Sequence, residues 1–499
     1  MKVFFFYIGT PTPIFETELE LIRKHEKLGD PVRVLQCSGN LPNCHWNPEH
    51  KNSLCAMCRS KFKNGWEVLN PGKNVELKQF PTYKPMSSEF PPVFNFVDDI
   101  TRYQYDNENI GYGVASSLIS SYRDHRFNTR KYHSEIIREL STAVAVYRTL
   151  KQELEEFKPD RVYFFNGRIT THLPAKLLCK RMGIEYFSYE VANKLNSYLL
   201  IKNATAHTVV STAKVNLIIS NWEMKHEKIG EAFFRQKRNG NKFENVLSFV
   251  KNQIKDILPK GFNRNKKNIA IFGGTIDEYA GVEEWKNKIY EPDETAGVRK
   301  ILESFESDNR YMFYLRVHPH MKELSSTTSQ LVDIRELSSR FNNLCVIWPG
   351  DTVDSYALMD ACEKIITFGS TMGVEATYWG RPSILAGHAF YENFDCVYMP
   401  KTHEELVKLL EEDIKPLSVD STLKYAFWEV SNGTPFEHFK QTGFKNGLAV
   451  GAFDGIEIKP SALSALWYKI TIFPWRVKRV VMKPTLIFRK LKKYVKEIH

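Results

Sequence analysis

What constrains this chain most is a series of short, largely apolar runs. Val3-Phe4-Phe5-Phe6-Tyr7-Ile8 stops at Gly9-Thr10-Pro11, and Pro31-Val32-Arg33-Val34-Leu35 and Arg161-Val162-Tyr163-Phe164-Phe165 follow. Ile184-Glu185-Tyr186-Phe187 and His207-Thr208-Val209-Val210 continue the series. A second series begins at Asn268-Ile269-Ala270-Ile271-Phe272 and includes residues 312–317, 344–348, 364–368 and 382–385. Strands that read apolar throughout are buried on both faces, as in parallel sheets covered by helices. Between the first two runs, Phe15, Leu19 and Ile22 fall on one helical face, and Gly29 supplies a stop. This alternation predicts an α/β chain with two Rossmann-like lobes and an interlobe cleft.

The 499 residues leave room for two or three domains. A first lobe is expected over 1–250, with a Cys-rich loop at 37–58 inside a loop-rich stretch from 38 to 95. A helical region from Ile110 to about Glu156 breaks near Arg126-Phe127-Asn128. An interdomain linker at 251–267 ends a polar, Asn- and Lys-rich segment that starts near Arg235. The second lobe spans 268–415, a returning helical segment 416–458, and a basic tail 459–499.

The formal net charge of +11 suggests a polyanionic partner until it is located along the chain. Residues 459–499 hold 11 Lys/Arg and one acid, a net of +10. Subtracting from 69 and 58 leaves 58 basic and 57 acidic residues in the first 458, a net of +1. Over 486–498, Ile487, Phe488, Leu491, Tyr494, Val495 and Ile498 share one helical arc opposite Arg489, Lys490, Lys492, Lys493 and Lys496. Aromatic and aliphatic residues opposite a lysine face describe an amphipathic helix that lies on an anionic membrane. Charge confined to one such tail argues against nucleic acid. No run approaches the ~20 apolar residues of a membrane-crossing helix.

Residues 1–8 read as a first buried strand rather than a leader, because no small-residue cleavage site follows them. A reducing compartment is therefore expected, in which eight cysteines need not pair. Four of them, Cys37, Cys44, Cys55 and Cys58, have the spacing C-x6-C-x10-C-x2-C. A C-x2-C pair suits one tetrahedral ion, so structural zinc is one reading; an iron–sulfur cluster and free thiols packing a loop are the others.

In doubly wound sheets, ligands bind beyond the carboxyl ends of the strands. Gly273-Gly274-Thr275 ends the first strand of the second series, where small residues permit close backbone approach. Arg316-Val317-His318-Pro319 ends the next, offering a cation and an imidazole to a phosphate. The stretch from Ser355 to Gly380 places Gly369-Ser370-Thr371-Met372-Gly373 between a strand and a helix, with Glu375 early on that helix. Free amides and hydroxyls there suit a phosphate, and a carboxylate at Glu375 suits ribose hydroxyls. Neither G-x-G-x-x-G nor a P-loop is present, so hydride transfer and P-loop hydrolysis are not indicated.

The combination of R-x-H-P, S-Y-x-L, G-S-T-x-G-x-E-A and G-R-P-S resembles the nucleotide-sugar lobe of GT-B glycosyltransferases. It is most similar to the bacterial capsule and surface polysaccharide biosynthesis group, which includes Kdo transferases. Phe165-Asn166-Gly167-Arg168, Glu190 and the cysteine spacing share the resemblance. It implies a glycosyltransferase with His318 and Glu190 as catalytic residues. Gly274, Thr275, Arg316, Ser370, Thr371, Gly373 and Glu375 would hold the donor, and Asn166 and Arg168 the acceptor. No cofactor is expected for catalysis, structural zinc aside. The implied partners are a nucleotide-sugar donor, a lipid-linked glycan acceptor and the anionic inner face of the membrane, with the enzyme cytoplasmic and peripheral. A teichoic-acid-type polyol-phosphate transferase using a CDP donor, a nucleotide-sugar 2-epimerase and a non-catalytic membrane-bound scaffold are the competing readings.

Overall fold

The computed structural model describes the chain except residues 84–89, 92, 206–208, 242–249, 283–284, 286–288, 446–447 and 482–499. The amphipathic pattern over 486–498 and the run at His207-Thr208 therefore lie outside the described residues. The chain forms two compact units that interleave along the sequence. One holds residues 1–85, 148–163 and 436–499, and the other 86–147 and 164–435.

In the first unit, β1 (Val3–Tyr7) lies between β2 (Val32–Gln36) and β4 (Arg161–Phe165), and β3 (Val75–Gln79) pairs with the far side of β2. All these pairings are parallel. β1 and β2 are buried at every position, which is why their sequences do not alternate. The helix Ile14–Lys27 buries Phe15, Leu19 and Ile22, and Gly29 follows it with φ +73, as a chain leaving a helix requires. Arg33 is the one charge inside these runs. Its guanidinium bonds Glu76, Glu153 and Glu156 at 2.8–3.0 Å, which offsets its burial.

Two departures come from elements with little apolar signal. The stretch expected to be loop-rich contains the 18-residue helix Asn52–Leu69, which carries Cys55 and Cys58. β3 was not legible because its residues are mostly exposed or half-buried. The unit closes with an antiparallel hairpin, β13 (Phe439–Lys445) and β14 (Leu448–Phe453), and the helix Ala462–Val481.

In the second unit, β5 (Glu185–Val191), β6 (Ser197–Lys202) and β12 (Thr434–Pro435) pair antiparallel. A five-stranded parallel sheet forms from β7 (Lys267–Phe272), β8 (Tyr311–Arg316), β9 (Leu344–Ile347), β10 (Lys364–Thr367) and β11 (Ser383–Leu385). Its spatial order is β11-β10-β7-β8-β9. The order reverses between β7 and β10, so the crevice at their carboxyl ends is the place where a doubly wound sheet takes its ligand. Register places the ends side by side: Phe272 of β7 is level with Arg316 of β8 and Thr367 of β10.

Candidate active site

The loop after β7 is set by a buried carboxyl. Glu294, the first residue of the helix Glu294–Ser304, accepts hydrogen bonds from the Gly274 amide at 3.1 Å and from the Tyr279 hydroxyl at 3.0 Å. Gln330 donates to Glu294 and to the Gly274 carbonyl, and accepts from the Ile276 amide. A side chain on residue 273 would come within 2.8 Å of Glu294, so the first glycine makes room for this brace. Burial raises the Glu294 carboxyl to about 7, against the hydrogen bonds it accepts. Thr275 is buried.

Arg316 ends β8 buried, with Nη1 3.4 Å from the Trp348 carbonyl and Nε without a hydrogen-bond partner. Burial lowers its pKa. His318 is half-buried, and its Nδ1 accepts the His320 amide at 3.3 Å, which leaves Nε2 as the protonated nitrogen of the neutral ring. Burial first, then His320, Arg123 and Arg316, lower its pKa to about 4. The imidazole is thus neutral near pH 7, and an anion beside it would favour its protonated form.

The loop after β10 behaves differently from its sequence reading. Glu375 is 1% exposed and fully engaged: it accepts hydrogen bonds from Tyr356 and Thr371, and its carboxylate lies 2.7 Å from Lys237 Nζ. Lys237, at the end of the helix Met224–Arg238, also donates to Thr371 Oγ1 at 2.8 Å. Glu375 thus anchors the Ser370-Thr371 loop from below. Gly373 has a packing role as well, since a Cβ there would sit 2.4 Å from the Tyr391 hydroxyl, which itself donates to the Ser370 carbonyl. Ser370, Thr371 and Met372 remain half-buried at the crevice. The S-Y-x-L motif supplies Tyr356 to the same network, and Arg381 of G-R-P-S bonds the Asp360 carbonyl. Asp354 caps the helix Ser355–Ala361 through its side chain, which accepts from the Tyr356 amide.

Asn166 and Arg168 follow β4, with Asn166 and Gly167 at positive φ. Asn166 Nδ2 donates to Glu190 at 2.9 Å, and the Val191 amide donates to the other Glu190 oxygen. Burial raises the Glu190 carboxyl; Asn166, Val191 and Arg168 oppose the shift. Arg168 bonds Ser116 at 2.9 Å and keeps a buried, unpartnered Nε. Burial lowers its pKa, and the charges of Glu190, Glu278 and Asp277 act against that.

Asp277 and Glu278 sit on the short helix Ile276–Tyr279, directly after the Gly-Gly-Thr loop. Asp277 pairs with Arg123, and Glu278 lies 3.5 Å from His320. Charge interactions link Arg168 to Glu190, Asp277 and Glu278, Asp277 to Arg123, and Arg123 to His318, which makes an open ring of charges. Arg123, Lys237, Asp277 and Glu278 were missed. The signal that could have found Asp277 and Glu278 is their place just beyond a strand end.

Cys37, Cys44, Cys55 and Cys58 line one cavity in the first unit. All four are free thiols. Among the described residues, no group of three or more His, Cys, Asp or Glu side chains is gathered as a bound metal ion would hold them.

Residues 287–396 match the family model of capsule polysaccharide biosynthesis proteins. That span contains Arg316, His318, Ser370, Thr371, Gly373 and Glu375. No curated protein matches the chain. Among solved structures, KpsC, beta Kdo 2,4 transferase, of Thermosulfurimonas dismutans is similar at 15% identity and TM-score 0.31, over 53% of this chain and 78% of that one. The beta Kdo 2,7 transferase of the same KpsC is similar at 10% identity and TM-score 0.33, over 61% and 86%. UDP-GlcNAc 2-epimerase from Neisseria meningitidis, bound to UDP-GlcNAc, is similar at 12% identity and TM-score 0.29, over 86% and 97%. Residues 287–396 thus resemble capsule polysaccharide biosynthesis proteins.

Proposed function

We propose that the chain is a glycosyltransferase that moves a sugar from a nucleotide-activated donor to a lipid-linked surface polysaccharide. The observation that carries this reading is the open ring of charges that links Glu190 and Arg168 to Asp277, just past β7, and through Arg123 to His318, just past β8. Arg316, His318 and the Ser370-Thr371 loop would take the donor phosphates, with Gly274 and Thr275 forming the adjacent wall. An arriving diphosphate raises the pKa of His318, so the ring both neutralises charge and holds a proton for the leaving phosphate. Asn166 and Arg168 would orient the acceptor, and Glu190, its pKa already raised by burial, would take the proton from the attacking hydroxyl. The charge stabilisation in this scheme comes from the chain's own residues. Glu375 acts at one remove, by fixing Thr371.

Membrane attachment belongs to the same proposal. Among the described residues no helix is long and apolar enough to cross a membrane. The helix Ala462–Val481 nonetheless exposes Leu463, Leu466, Trp467 and Ile470, and leads into the cationic end of the sequence. We place the enzyme on the cytoplasmic face, held by this surface. The test is a thermal-shift panel of CMP-, UDP-, GDP- and CDP-linked sugars on the wild type and His318→Ala. Stabilisation by one donor in the wild type, reduced in the variant, supports the assignment; stabilisation by none overturns it.

A further inference from the structure

The parallel sheet of the first unit also ends in a cavity, and its chemistry is unlike that of the ring. About 560 Å³ opens where β1 and β2 finish, bounded by Ile8 to Thr12, the loop and helix from Cys37 to Lys61, Ala449 to Gly451 of β14, Glu457 to Pro460 and Tyr468. That volume is in the range of a ligand site. Its walls are apolar: Ile8, Leu41, Trp46, Leu54, Met57 and Ile458. Of its two lysines, Lys61 is already committed to the Thr10 carbonyl, Thr12 and Glu16, and Lys459 pairs with Glu457. Gly9, at φ +102, is required here, because a side chain would collide with the Trp46 ring at 2.1 Å.

A second observation says where an occupant comes from. The helix Ala462–Val481 is packed inside out. It docks on the helix Asn52–Leu69 through small hydroxyls, Ser464 on Ser60 at 2.8 Å and Thr471 on Ser53 at 2.7 Å. Ser464 is 9% exposed, whereas Leu463 is 82% and Ile470 61% exposed. A helix that buries serines and presents leucines is covered on its outer side by something apolar. The basic residues that follow it in the sequence match an anionic bilayer. Tyr468 of this same helix lines the cavity.

We infer that the cavity receives a hydrocarbon chain of a membrane amphiphile, drawn in beside the helix Ala462–Val481. The inference rests on the membrane part of the proposed function but not on the transfer chemistry. The ligand class is a single aliphatic chain with a hydrated head left at the rim, because the lining offers apolar surface and no uncommitted charge is needed inside.

The test titrates the full-length protein with n-alkyl maltosides from octyl to tetradecyl, each below its micellar concentration, by calorimetry. Affinity is expected to rise about fourfold per added methylene, the equivalent of ~0.8 kcal/mol per buried CH2, and to level off once the chain outgrows the cavity. Met57→Trp fills the cavity and abolishes the length dependence, with its melting curve and its binding to anionic vesicles serving as controls for folding and attachment. Alkylation of Cys44 and Cys58 in the native protein should slow when the longest probe is bound. A length dependence unchanged in Met57→Trp, an affinity that climbs with length without levelling, or no saturable binding by a protein that still binds vesicles would each overturn the cavity assignment. Binding that appears only after removal of residues 484–499 would overturn it too, by giving the cavity to the chain's own end.

Discussion

Two sets of parallel strands in this chain end in opposite chemistries. β1 and β2 of the first unit finish against thiols, leucine, methionine and tryptophan, while β7, β8 and β10 of the second finish in arginine, histidine, hydroxyls and carboxylates. Strand geometry is the same in both, so geometry does not choose the ligand. The residues just past each strand do. An apolar lining gains from excluding water around a hydrocarbon, and a ring of fixed charges gains from neutralising an anion in a partly desolvated crevice.

The comparison breaks most forcibly at Lys237. Replacing it with Met leaves Glu375 a buried carboxylate without its cation, and should cost about 3–5 kcal/mol in denaturant unfolding. An unchanged midpoint would mean the charged end tolerates what only an apolar end should. His318→Ala comes next: transfer from the preferred donor should fall by about 10²-fold or more. Met57→Trp at the apolar end should leave transfer to a soluble acceptor intact, and equal losses in the two variants would erase the distinction.

Smaller effects sharpen it. Leu466→Ser should weaken pelleting with anionic liposomes by roughly tenfold, with catalysis of a soluble acceptor unchanged. Donor binding should take up a proton near pH 5–6, about the interval between the lowered and ordinary values of His318; calorimetry in buffers of different ionisation enthalpy reads this directly. The finest test is Glu294. Its pKa rises from 4.5 to about 7 on folding, so the folded state binds more protons between those values. Its stabilising contribution is complete below the unfolded value and lost as pH rises through the folded one. Glu294→Gln should flatten that part of the stability profile, and a profile still sloping there would place the titration elsewhere.

How much of this was legible follows from what a side chain signals locally. The buried strands were plain because both of their faces are apolar, so β1, β7 and β10 sit where continuous apolar runs place them. β3, β6 and β12 are edge or short strands with half-polar surfaces, and leave no such trace. Among site residues, Arg316, His318 and Ser370 were found because a strand end marks them. Glu375 was found for its position, but its contacts were not: its partners Lys237 and Tyr356 lie 138 and 19 residues away in the sequence, and only the fold brings them to its oxygens. Arg123 and Asp277 are likewise ordinary surface types in sequence, and become notable only by meeting each other.

The level strand ends have one more consequence. Because Thr367, Phe272 and Arg316 stand in line across three neighbouring strands, the spacing of the three loops beyond them is set by the hydrogen-bond ladder, ~4.8 Å per strand and ~10 Å across. The sheet works as a ruler. Loop substitutions change which atoms sit at each mark, and the marks themselves move only if a strand slips its register.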